Sequence, residues 1–160
     1  MLILSLGSNL GNREQLMQDA IRALEEHVGT LLKCSSFYTT APVGFASDHA
    51  FLNAVAAFDT NKKPEDVLRI TQQIERQLGR TQKSIAGQHF DRTIDIDILA
   101  YNDVVITTPD LVIPHPRLCE RRFVLEPLCE ILPSSLHPIH KTTYQELLHM
   151  LNTATIRREQ

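Results

Sequence analysis

The segment FDRTIDIDILAY, residues 90–101, holds two opposed signals. Ile94, Ile96 and Ile98 alternate with Asp95 and Asp97, and that period of two puts the isoleucines on one face of a β-strand and both aspartates on the other. Asp is depleted in strands, and neighbouring carboxylates on one face repel unless a cation lies between them. A strand that keeps Asp-x-Asp at its centre is either a solvated edge or part of a site for a divalent ion.

Working outward, LILSLG (2–7) is a short apolar run and a first strand. NREQLMQDAIRALEEHVG repeats apolar residues every fourth position (Leu16, Ala20, Leu24, Val28), with Asn12 placed to cap a helix and Gly29 to end it. LLKCSSFYTT (31–40) and FLNAVAAFDT (51–60) read as two further strands. Pro64 opens a second helix with Val67, Ile70, Ile74 and Leu78 on one stripe and Gly79 behind it. Residues 80–92 show no apolar period and form a long loop before the Asp-x-Asp strand. A turn at Asn102–Asp103 followed by VVIT resembles a hairpin. RRFVLEPLCEIL and TTYQELLHML supply two more helices, the last capped by Thr142 or Thr143, and the tail NTATIRREQ is expected to fray. The order β-α-β-β-α-β with a C-terminal extension predicts an α+β, ferredoxin-like split β-α-β fold: a mainly antiparallel sheet with helices packed on one face, forming a single domain over 1–160.

Composition narrows the function. With 160 residues, 42% hydrophobic and 22% charged, the chain is globular, and a net charge of −3 gives no bulk attraction for nucleic acid. No apolar run reaches the ~20 residues of a membrane span, and MLILSLGSN lacks the basic start of a signal peptide, so the cytoplasm is the expected location. Cys34, Cys119 and Cys129 form no CxxC pair and are read as free thiols. His137 and His140, in HPIH, are placed on a polar surface loop.

Two aspartates at i and i+2 suit Mg²⁺, which is held by one or two carboxylates plus substrate phosphates. Arginines surround them in sequence: Arg80 opens the loop, Arg92 closes it, and IPHPRLCERRF brings His115, Arg117, Arg121 and Arg122. Acids for a metal and guanidiniums for phosphate oxygens are what a metal–triphosphate site requires. GxxxxGK[ST] and GxGxxG are both absent, which excludes a P-loop scaffold and the protein kinases. The glycines of SLGSNLGN read as a tight strand-to-helix turn.

In order along the chain, LSLGSNLGN, SSFYTTAPVG, FLNAV, TQQIERQLGR, DRTIDIDIL and IPHPRLCERRFVLEPL resemble the 6-hydroxymethyl-7,8-dihydropterin pyrophosphokinase family of folate biosynthesis. The resemblance implies Mg²⁺-dependent transfer of pyrophosphate from ATP to the hydroxymethyl group of the pterin, with release of AMP. It implies that Asp95 and Asp97 hold a pair of Mg²⁺ ions, and that Arg80 and Arg92 are catalytic arginines of a mobile loop. Gln72, Glu75, Ile98, His115 and Arg121 fall on ATP-binding positions. Thr40, Pro42, Val43, Phe51, Asn53 and Phe123 fall on pterin-binding positions, with Asn53 reading the heterocycle edge and the phenylalanines stacking on the ring. Small-molecule substrates and a monomer are expected, with neither nucleic acid nor membrane as partner.

The chain departs from the family at Phe90 and Asp91 before Arg92, at Gln82, and at His89, where some members carry a Trp. The loop between Gly79 and Arg92 is expected to close only over both substrates. Two rival readings are another metal-dependent nucleotide enzyme, such as a cyclase or nucleotidyl transferase, and a ferredoxin-like ligand-binding module without turnover.

Overall fold

The computed structural model describes residues 1–9, 12–40, 50–79 and 94–159, with side chains through residue 153. Its main sheet contains β1 (Leu2–Ser8), β2 (Thr30–Cys34), β3 (Tyr38–Thr40), β4 (Phe51–Asp59) and β5 (Asp95–Tyr101). The strand order is β2-β4-β1-β5, with β3 also paired to β4, and every pairing is antiparallel. Taking β2 and β3 as one broken strand, this is the expected ferredoxin-like arrangement.

The break has a local cause. At Ser35 the chain leaves the ladder, and its hydroxyl and amide replace the missing bonds: Ser35 N–H donates to Val55 O and Val55 N–H donates to Ser35 Oγ, both at 2.9 Å. The pairing partners of buried backbone groups are thus kept while the strand bends. Helix α1 (Arg13–His27) starts where expected, with Asn12 Oδ1 accepting from Gln15 N–H at 3.2 Å. Gly29 is required because a β-carbon there would stand 2.1 Å from Asp59 O. Helix α2 (Pro64–Leu78) begins at its proline and buries Val67 and Ile74.

Alternation along the strands divides the sheet into two faces. Leu2, Leu4 and Leu6 of β1, Ala54, Ala56 and Phe58 of β4, and Ile96 and Ile98 of β5 pack against α1 and α2. The opposite face carries Ile3, Val55, Ala57 and Leu99, covered by α3 (Arg122–Ile131) and α4 (Tyr144–Glu159). Helices therefore lie on both faces and not on the one face expected, because the C-terminal extension buries an apolar patch that the first two helices cannot reach.

Three further expectations need correction. The turn after β5 forms, with Val104 N–H donating to Tyr101 O at 3.0 Å, but the chain does not fold back on β5. Instead β6 (Ile106–Thr107) pairs with β7 (Val112–Ile113) in a separate small sheet, since the Pro-rich segment returns within reach. The tail expected to fray continues α4 to Glu159. His137, placed on a surface loop from sequence, is 3% exposed. At the start of α4 the cap is Thr143, whose Oγ1 accepts from Glu146 N–H at 3.2 Å.

Candidate active site

The second sheet face is polar beyond the reach of α3 and α4. Continuing each strand past its apolar residues gives Ser5 and Gly7 on β1, Asn53 and Phe51 on β4, and Asp97 and Asp95 on β5. Register sets these side by side: Asp97 opposite Ser5, and Asp95 opposite Gly7, which faces Asn53 on its other flank. They line a cavity of about 580 Å³, closed on its far side by Arg117, Glu120, Arg121, Arg122 and Phe123. Arg117, Glu120 and Arg121 come from the turn that joins β7 to α3, and Arg122 and Phe123 from the first turn of α3. The connection is pinned by the fully buried Leu118 and by His115 N–H donating to Leu99 O at 2.9 Å.

Gly7 makes the row possible. A β-carbon there would come within 3.0 Å of Asn53 Oδ1, so glycine leaves the space the Asn53 amide occupies. Asn53, 6% exposed, is oriented by its own Nδ2, which donates to Thr40 Oγ1 at 2.8 Å. Across the cavity, the Arg121 guanidinium sits 5.6 Å from the centroid of the Phe123 ring, a cation–π distance that occupies one face of that ring.

Charge at the site is predominantly negative around β5. Glu75 reaches from α2 to the sheet edge, and its Oε2 accepts from Ile96 N–H at 2.8 Å. Burial raises its pKa, the Ile96 hydrogen bond opposes that, and the nearby Asp95 and Asp97 raise it further, to about 7. A third carboxylate whose pKa is raised beside two others marks a surplus of negative charge that a divalent cation would relieve. Among the described residues, Asp95 and Asp97 line the cavity here with Ser5 beside them, a hard-oxygen set that fits Mg²⁺. His115 is shifted the other way: burial lowers its pKa, with Arg121 next and Asp95 opposing. Its Nδ1 accepts from Arg117 N–H at 3.1 Å, so the neutral ring offers Nε2–H as a donor.

Of the residues named from sequence, the cavity gathers Thr40, Phe51, Asn53, Asp95, Asp97, Arg121 and Phe123, with His115 and Glu75 within electrostatic range of Asp95. Gln72 is exposed, one turn before Glu75 on α2. Ile98 is 5% exposed in the core on the opposite face, so only its backbone, on the edge strand, is available to a ligand. Arg80, Arg92, Pro42 and Val43 lie outside the described residues, as do Gln82, His89, Phe90, Asp91 and the loop expected to close. Ser5, Gly7 and Glu120 were missed. From sequence Gly7 reads as the end of the first strand and part of a tight turn; β1 runs through it to Ser8, and a strand-interior glycine is itself a signal of close approach.

A second cluster lies on the other side of the 118–120 turn, where ligand atoms of Cys119, His137 and His140 stand within 4.8 Å of one another. The His137 Nδ1 accepts from the amides of Ile139 and His140, both at 3.2 Å. A neutral ring with Nδ1 as acceptor carries its proton on Nε2 and has no lone pair left for a metal. Burial also raises the Cys119 thiol pKa, away from thiolate. The buried His137 is therefore a cap for the turn into α4.

Comparison with known proteins agrees with this geometry. Residues 3–133 match the family model described as 7,8-dihydro-6-hydroxymethylpterin-pyrophosphokinase (HPPK). A 2-amino-4-hydroxy-6-hydroxymethyldihydropteridine pyrophosphokinase of Porphyromonas gingivalis is 52% identical over 136 residues, spanning 84% of this chain and 92% of the relative. The protein of the same name from Bacillus subtilis is 45% identical over 129 residues, 80% of this chain and 75% of the relative. Among solved structures, wild-type HPPK-DHPS of Plasmodium falciparum with pterin and p-hydroxybenzoate superposes with a TM-score of 0.78 over 98% of this chain and 44% of that one. At 17% identity, that likeness speaks for the fold.

Proposed function

The chain belongs to the 7,8-dihydro-6-hydroxymethylpterin-pyrophosphokinase family, and on that premise we propose that it transfers the β,γ-pyrophosphoryl group of ATP to the hydroxymethyl oxygen of 6-hydroxymethyl-7,8-dihydropterin, with Mg²⁺ bound at Asp95 and Asp97. The observation that carries this reading is the row Asp95–Gly7–Asn53. Two strand spacings, about 10 Å, separate a carboxylate pair suited to a metal–triphosphate from an amide suited to a heterocycle edge. Donor and acceptor subsites thus sit on strands of one sheet that flank β1 on either side.

In the step itself the hydroxymethyl oxygen forms a bond to the β-phosphorus, the bond from that phosphorus to the α,β-bridging oxygen breaks, and AMP leaves with that oxygen. The hydroxyl proton is lost to solvent. Bound Mg²⁺ supplies charge neutralisation at the triphosphate oxygens. Asn53 and Thr40 hold the pterin edge, and the open face of Phe123 stacks on its ring, with Phe51 on the sheet side. Arg121 and the Nε2–H of His115 meet phosphate oxygens as a charged and a neutral donor. Gln72, Glu75 and the backbone of Ile98 form the nucleotide side. Arg80 and Arg92 supply further guanidiniums, and Pro42 and Val43 further pterin contacts. Positioning and electrostatics account for the rate without a dedicated protein base.

The test is release of AMP from ATP with Mg²⁺, with and without the pterin, in wild type and Asp97→Ala. Pterin-dependent AMP that falls at least about a hundredfold in the variant is expected. Release of inorganic pyrophosphate in place of AMP would move the chain to nucleotidyl transfer.

A further inference from the structure

The carboxylate of Glu130 lies on the last turn of α3, outside the cavity. It collects donors from the chain just past the break between β2 and β3. Ser36 N–H donates to both of its oxygens at 3.0 Å, Ser36 Oγ donates to Oε2 at 3.0 Å, and the Tyr38 phenol donates to Oε1 at 2.6 Å. Charge-assisted bonds are stronger than neutral ones, and here they tie down the first residue of a three-residue strand and the connection that leads into it. The shifts agree with the geometry: the Tyr38 hydrogen bond lowers the Glu130 pKa, and the same bond pushes the Tyr38 phenol up to about 12.

What the clamp joins gives it a functional consequence. Tyr38 is the cross-strand partner of Asn53, and two residues on, Thr40 Oγ1 receives the Asn53 amide. At the other end, Glu130 stands seven residues after Phe123 on α3. That is two helical turns, about 10 Å, along the same helix face. One end of this face forms the aromatic wall of the cavity and the other end grips the strand that orients its hydrogen-bonding wall.

We propose that Glu130 and Tyr38 are positioning residues for the acceptor, fixing the gap between Phe123 and the Asn53–Thr40 pair in which the planar heterocycle is held. The inference rests on the pterin reading given above. Neither residue touches substrate. Loosening the clamp lets β3 drift from α3, so the ring loses fit with Phe123 while the carboxylates on β5, with β4 and β1 in between, stay in place.

The experiment compares Tyr38→Phe, Glu130→Ala and the double variant by steady-state kinetics with each substrate varied, and by hydrogen exchange of the β3 amides in the substrate-free protein. Expected are a pterin KM raised about three- to tenfold, an ATP KM and kcat within about twofold of wild type, and a double variant no worse than Glu130→Ala alone, since one clamp is lost only once. Faster β3 exchange in both single variants is expected as well. An unchanged pterin KM, or KM values for both substrates rising together, would overturn the proposal. If Glu130→Ala does not fold, Tyr38→Phe decides, because it keeps the ring and removes one hydrogen bond. A wild type without pterin-dependent turnover would sink the functional reading instead. The exchange measurement then still judges the clamp, and unchanged β3 protection in Tyr38→Phe would refute it.

Discussion

The two halves of the second sheet face make an informative pair. They share three strands, with one register shift at Leu99 where β5 crosses from one half to the other, and two residues separate the halves along each strand. At one end Ile3, Val55, Ala57 and Leu99 are buried under α3 and α4. At the other, Ser5, Gly7, Asn53, Asp97 and Asp95 face a cavity. The covered half contributes to folding, whereas the open half brings carboxylates together and leaves a glycine where a larger residue would pack. The difference teaches that this fold stores its stability and its chemistry on the same surface, divided by where the C-terminal helices end.

Neighbours on β5 give the sharpest way to break the comparison. Asp97 and Leu99 point to the same face, one on either side of the boundary. Under the proposed reaction, Asp97→Asn lowers kcat/KM by about a thousandfold, some 4 kcal/mol of transition-state stabilisation, while the denaturation midpoint of the metal-free protein stays the same or rises as carboxylate repulsion is relieved. Leu99→Ala does the reverse, costing about 2–5 kcal/mol of stability through lost burial and a residual cavity, with kcat close to wild type in the protein that remains folded. Chemical denaturation and steady-state assays on both variants are sufficient. Equal loss of activity from the two would mean that the halves are not separable.

Gly7 sharpens the comparison within the open half. Alanine in a strand interior ordinarily stabilises by about 0.5–1 kcal/mol relative to glycine, but here its β-carbon would meet Asn53 Oδ1 at 3.0 Å. Gly7→Ala is therefore expected to leave the melting temperature level or slightly raised and to increase the pterin KM about tenfold, with the ATP KM little changed. A pterin KM equal to wild type would remove Asn53 from the acceptor subsite.

Much of this was legible in the sequence because it depends on periodicity. Leu2–Leu4–Leu6 and Ile94–Ile96–Ile98 fix which residues face α1 and α2, and Asp95 and Asp97 then fall on the far face without further information. In α1 the fourfold spacing places Ala20, Leu24 and Val28 correctly, but Met17 is buried where the spacing predicts Leu16. Asn53 and Phe123 came through their resemblance to family motifs, as no local pattern marks them. What stayed hidden was long-range. Nothing near Ile106 tells that its partner is Ile113 in place of β5, and nothing near His137 tells that Cys119 will lie beside it. Glu130 shows the same limit. On α3 it reads as one more exposed acid, and only the fold brings Ser36 and Tyr38, more than ninety residues earlier, to its oxygens.

The smallest expected effect contrasts carboxylates, Glu75 at the open half and Glu130 at the clamp. The Glu75 pKa is raised to about 7 by burial and by its neighbouring aspartates. In the metal-free protein the folded state then keeps a proton between about pH 4.5 and 7 that the unfolded chain has released, so the Glu75 contribution is full below that window and is lost as pH rises through it. Glu130 is lowered, chiefly by the Tyr38 hydrogen bond. Its contribution is present above the ordinary glutamate range and is lost as pH falls through its folded value. Denaturation of wild type, Glu75→Gln and Glu130→Gln across pH 3.5–8 reads both slopes at once. Glu75→Gln should flatten the decline between pH 4.5 and 7 while its amide oxygen keeps the Ile96 N–H satisfied, and Glu130→Gln should flatten the loss at the acid end. Saturating Mg²⁺ should flatten the first slope, since a cation at the aspartates removes the repulsion that raises Glu75. A first slope that magnesium leaves unchanged would place the cation somewhere other than Asp95 and Asp97.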